Sequence, residues 1–79
     1  MVTVHRAFGF RWVIFTNDHS PPHVHVVGPG GEARITLHGP EGLVLDRVIG
    51  ISRGDMRRIM GEAERERERL IAAWRRIHG

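Results

Sequence analysis

From Val2 to about Ile49, apolar and polar positions alternate in short runs; from Ser52 onward the apolar residues recur every three or four positions. The first regime predicts strands, the second a helix. Val2 to Ala7 sets Val2 and Val4 against Thr3 and His5, and Phe8-Gly9-Phe10 supplies a tight turn into Arg11–Thr16, whose nearly continuous apolar character suits a central strand buried on both faces. Asn17-Asp18 ends that strand and Pro21-Pro22 holds the connection extended. A third strand, His23 to Val27, places His23 and His25 on one face and Val24 and Val26 on the other. After the Gly28-Pro29-Gly30-Gly31 turn, Glu32 to His38 alternates again, with Ala33, Ile35 and Leu37 facing inward. Glu32, Arg34 and His38 then share the face of His23 and His25. Leu43 to Ile49, beyond the Gly39–Gly42 break, reads as a fifth, shorter strand.

Ser52 suits an N-cap, with Asp55 three residues on. Met56, Ile59, Met60, Ala63, Leu70, Ile71, Trp74 and Ile77 then fall on one stripe. The pattern predicts an α+β fold: a small antiparallel sheet of four to five strands packed by one long C-terminal helix, in a single domain spanning residues 1–79, with a β-rich sheet over 1–51 and a helix over 52–78. On the helix surface Glu62, Glu64 and Glu66 each meet an arginine at i,i+3, while Glu62 with Glu66, Glu64 with Glu68 and Arg65 with Arg69 repel at i,i+4. These pairs nearly cancel, so the helix must draw its stability from packing. Arg67 falls inside the apolar stripe, between Ala63 and Leu70. In one reading its stem covers apolar surface while the guanidinium reaches solvent past Ala63. In the other the sheet covers only the first half of the helix, and Arg67, Leu70, Ile71, Trp74 and Ile77 form a patch for a partner protein or a homodimer.

Composition narrows the chemistry. The chain of 79 residues is near the size where burial only just offsets chain entropy. It has no cysteine, which excludes disulfides, thiolate nucleophiles and thiolate metal ligands. All 12 basic side chains are arginine, for a formal charge of +3. Arginine suits planar contacts to phosphate or carboxylate, so nucleic acid is permitted rather than demonstrated. No apolar run reaches about 18 residues, which predicts a soluble, cytoplasmic protein with no membrane partner. The glycine-rich turn is no phosphate loop, since no helix follows it, and no nucleophile elbow is present.

Three of the 6 histidines and two of the 4 prolines lie in Asn17–Val27, N-D-H-S-P-P-H-V-H-V-V. Together with G-F-R-W at Gly9 to Trp12 and G-E-A at Gly31 to Ala33, this stretch resembles the bacterial family called domain of unknown function 4160, and the likeness extends to Trp74. The resemblance implies a strand-rich N-terminal half, a C-terminal helix and no assigned activity. It also implies frequent encoding beside a second small protein, of the domain of unknown function 2442 kind, in what looks like a toxin–antitoxin pair.

Three readings of the histidine stretch compete. In the first, His19, His23 and His25 hold a divalent metal such as Zn²⁺, with Asp18 as an alternative third ligand. In the second, a toxin cleaves RNA without a metal: His19, His23 and His25 share general acid and base roles, Arg34 holds the phosphate, and Arg11, Asn17 and Asp18 assist binding. In the third, the histidines only cover a sheet face that meets the partner, and no cofactor is needed.

Overall fold

Each strand of this chain pairs with the strand next to it in sequence. The computed structural model describes residues 1–79. It contains β1 (Val2–Ala7), β2 (Phe10–Ile14), β3 (His23–Val27), β4 (Glu32–Gly39) and β5 (Gly42–Ile49), followed by α1 (Arg53–Arg65) and α2 (Arg67–His78). The strands form one antiparallel sheet in the order β1-β2-β3-β4-β5. Phe8 and Gly9, with φ of 57° and 80°, form the two-residue turn between β1 and β2. That geometry matches the right-handed twist of a hairpin, at the cost of a bulky side chain in a left-handed conformation. At the opposite side of the sheet the backbones of Gly31 and Gly50 approach so closely that neither position has room for a Cβ.

The two faces of the sheet carry different residues. Trp12, Ile14, Val24, Val26, Ala33, Ile35 and Leu37 point to the helices and are fully buried, packed against Ile59, Ala63, Leu70, Ile71, Ala73 and Trp74. The opposite face carries Val13, His23, His25, Arg34 and Thr36, joined by the registers Val13↔His25, His25↔Arg34 and His23↔Thr36. As expected, β2 is buried throughout its centre, with Trp12, Val13 and Ile14 all at 0% exposure. β5 is as long as β4, at eight residues each, rather than the shorter strand anticipated. Val44, Leu45, Val48 and Ile49 on this edge strand remain exposed.

The C-terminal region is helical, in two segments. Glu66, at φ −98° and ψ 7°, caps α1 and starts α2, and backbone bonds from Glu66 N to Glu62 O and from Leu70 N to Glu66 O continue across the break. Helix α2 packs on β3 and β4. The patch expected of Leu70, Ile71, Trp74 and Ile77 is therefore corrected: the first two and Trp74 are buried in the core, and Ile77 packs against it. Arg67 Nε donates to the Leu37 carbonyl near the end of β4 at 2.7 Å, while its Nη2 stays at the surface beside His38. That contact replaces its expected pairing with Glu64, whereas Arg65–Glu62 and Arg69–Glu66 do form. The Ser52 cap also forms, its hydroxyl accepting from Asp55 N at 3.1 Å. No helix is long and apolar enough to cross a membrane.

One polar contact ties the first strand to the first helix. Glu62 accepts from Arg65 Nη2 and from His5 Nε2, each at 2.7 Å, while the His5 ring meets Trp12 edge-on. The Arg65 hydrogen bond first, and His5 second, hold the Glu62 carboxyl below its ordinary value of 4.5. A lowered carboxyl stabilises the fold at pH above that value and ceases to do so as pH falls through the folded-state value. Glu62→Gln should cost about 1 kcal/mol at neutral pH. Urea unfolding should show the gap to the native chain closing below pH 4.5. A gap that stays constant with pH would contradict this role.

Candidate metal centre

His23 is the first residue of β3 and is only 2% exposed. Its Nδ1 lies 2.9 Å from the carbonyl oxygen of Pro21, which can only accept, so the ring proton sits on Nδ1. Nε2 points the other way, 3.0 Å from Asp18 Oδ2, and makes no aligned hydrogen bond to any group. A neutral ring so arranged turns a lone pair towards a carboxylate oxygen. With the ring neutral, the Nε2 lone pair and the partly exposed Asp18 oxygen repel each other, and a cation or a second ring proton between them removes that repulsion.

His25, two residues along the same strand face, donates from Nε2 to the same Asp18 oxygen at 3.3 Å. The three potential ligand atoms of Asp18, His23 and His25 all lie within 4.8 Å of one another. An ion with bonds of about 2.0–2.1 Å in tetrahedral geometry separates its ligands by about 3.3 Å, close to the two histidine–carboxylate spacings. The supports also fit. A ligating imidazole commonly donates its other N–H to a backbone carbonyl, as His23 does to Pro21. Burial lowers the His25 pKa; the Asp18 carboxylate opposes that shift, and His23 and Arg34 add to it. The neutral imidazole that results is the form that binds a metal.

Packing fixes these rings. His23 lies 5.0 Å, centroid to centroid, from Trp74 on α2, and His25 meets Phe15 edge-on at 4.6 Å. Asp18 is held by a turn in which its N–H donates to the Phe15 carbonyl at 3.1 Å, and the Ser20–Pro21 peptide that leads into β3 is cis.

Sequence reasoning named all three members of the group, with Asp18 as the alternative to His19. His19, expected beside His23 and His25, is exposed and stands outside the cluster; Asp18 takes the third place because the turn directs its carboxylate under the sheet. Asn17 is likewise exposed in the turn. Arg34 lies directly across from His25, with Nε 3.7 Å from Asp46 Oδ2 and without a hydrogen-bond partner. Arg11 faces the same side, opposite Val27. Asp46 escaped notice because period-two counting cannot anticipate a bulge. Arg34 pairs with Arg47 but Ile35 with Leu45, so Asp46 is the extra residue, and its carboxylate accepts from the Thr36 hydroxyl. With His25, Glu32, Arg34 and Arg47 it lines a recess of about 240 Å³. The contact of Trp74 with His23 was also missed, since helix periodicity alone does not say which strand end a ring will meet.

Fold and site together define a small α+β domain whose titratable side chains gather at the start of its central strand. Residues 9–75 match the family model described as Domain of unknown function (DUF4160), and the chain belongs to that family. No curated protein and no solved structure matches the chain.

The placement of His19 and His23 has a direct consequence. His23→Ala removes a buried ring packed on Trp74 and should cost about 2–3 kcal/mol in urea unfolding, whereas His19→Ala should change stability by less than about 0.5 kcal/mol. Equal effects would contradict the arrangement.

Proposed function

We propose that Asp18, His23 and His25 hold one divalent metal ion such as Zn²⁺, and that the chain is the metal-dependent, RNA-cleaving member of a toxin–antitoxin-like pair in the bacterial cytoplasm. The observation that carries this reading is the buried, unpartnered His23 Nε2 facing Asp18. Two histidines and one carboxylate leave coordination positions open, as hydrolytic metal sites require. A bound ion supplies an activated water at neutral pH. Hydrolysis consumes that water: its oxygen bonds to phosphorus, one phosphorus–oxygen ester bond breaks, and the leaving oxygen ends protonated. The position of Arg34, directly across from His25, supports a role for its guanidinium in balancing the phosphate charge.

The metal-free alternative, in which His23 and His25 divide the acid and base roles, fits less well. His23 is buried and its Nδ1 is committed to Pro21, so it has no path for proton exchange with a substrate. The partner in this reading is the small protein of the domain of unknown function 2442 kind that the family resemblance implies.

The test is cleavage of a labelled RNA by the purified chain with Zn²⁺ or Mn²⁺ and with EDTA. Cleavage should require metal and fall by about 100-fold or more in Asp18→Asn and His25→Gln. Induced expression of the native chain should also stop bacterial growth, while an equally abundant Asp18→Asn should not. Cleavage that is unaffected by EDTA would overturn the metal assignment.

A further inference from the structure

The open face of the sheet carries an arrangement that folding alone does not reward. Two cross-strand pairs on it are arginine against arginine: Arg6↔Arg11 between β1 and β2, and Arg34↔Arg47 between β4 and β5. Like charges placed directly opposite each other destabilise a sheet. Both pairs face the same side, because Arg11 is two residues from Val13, Val13 is opposite His25, and His25 is opposite Arg34. Two carboxylates share this face outside the Asp18 cluster, Glu32 and Asp46. Only Arg34 has a carboxylate within 4.0 Å, that of Asp46, and Asp46 also accepts from Thr36. Arg6, Arg11 and Arg47 form no ion pair, and Arg6 and Arg47 are exposed.

We infer that this face is a track for the phosphate backbone of a single nucleic-acid strand, which crosses the sheet from Arg6 and Arg11 to Arg34 and Arg47. An anion between the members of each pair turns a repulsion into two charge-assisted contacts, and arginine's planar fork suits phosphate oxygens. At about 4.8 Å per strand, β1 and β5 lie about 19 Å apart, which leaves room for several nucleotides. The two arginine pairs flank β3, so a strand running from one to the other passes over His25 and the Asp18 oxygen it faces. Phe8, 45% exposed at the tip of the β1–β2 turn beside Arg6, offers a ring on which an end base can stack. That the bound strand is also the substrate rests on the proposed metal-dependent cleavage; the track does not.

Binding is therefore measured without metal. The full chain in EDTA is titrated, by fluorescence anisotropy, against a labelled oligouridylate of about 12 nucleotides over a range of salt. Arg6→Gln/Arg47→Gln removes exposed side chains that form no ion pair. It should weaken binding by about tenfold and reduce the slope of log affinity against log salt by about 1.4, from about 0.7 per lost contact on a single strand. Arg57→Gln/Arg75→Gln, an equal loss of charge on exposed helix positions, should leave both nearly unchanged. Equal weakening by the two double variants, or no binding by the native chain, overturns the track. So does competition by inorganic phosphate as effective, per phosphate, as competition by the oligonucleotide. Unlabelled oligothymidylate separates the sources: equal competition assigns recognition to phosphate alone, weaker competition adds the ribose hydroxyl, and either outcome keeps the track. Metal-independent binding with no cleavage would retain the track and remove the hydrolytic reading.

Discussion

A carboxylate shared by two imidazoles at the start of the central strand sets the terms for much of this molecule. Asp18 Oδ2 lies 3.0 Å from His23 Nε2 and 3.3 Å from His25 Nε2. A buried polar atom without a hydrogen-bond partner, as His23 Nε2 is, costs about 1–3 kcal/mol, a sizeable fraction of a small domain's stability. The surroundings hold the group in place nonetheless. Pro21 fixes the His23 tautomer, Trp74 and Phe15 pack the rings, and the Asp18 turn sets the carboxylate. An arrangement costly in isolation and braced on every side is what a preorganised ligand site requires.

The meander topology gives that site its setting. Every strand pairs with its sequence neighbours, so the period of two divides the sheet into a face for the helices and a face for chemistry. The helices press mainly on the first, through Ile59, Ala63, Leu70, Ile71, Ala73 and Trp74. On the second, the bulge at Asp46 places an additional carboxylate beside Arg34 and Thr36, a local device often found next to functional groups. His23 belongs to both layers, since its ring meets Trp74 at the sheet end while its Nε2 faces Asp18. The stability of α2 and the geometry of the site are thereby coupled.

Much of this could be read from the chain itself. The five strands, the helical C-terminal region, the shared face of His23 and His25 and the Ser52 cap all follow from local periodicity and side-chain chemistry. Three features did not, for separate reasons. Arg67 reaches the Leu37 carbonyl, 30 residues away, and charge pairs along a helix carry no trace of that contact. Asp18 displaced His19 because turn geometry, rather than residue type, decides which of two neighbouring side chains points under the sheet. Asp46 depended on a bulge, which shifts the register that alternation assumes.

The central claim is that the space between Asp18, His23 and His25 is shaped for a cation. Crystals of the chain soaked in zinc and measured at the zinc absorption edge test it directly. The account predicts an anomalous peak about 2.0–2.1 Å from Nε2 of both histidines and about 2.0–2.2 Å from Asp18 Oδ2. Zinc found only on exposed histidines such as His19 and His38, with no peak between those three side chains, would contradict it.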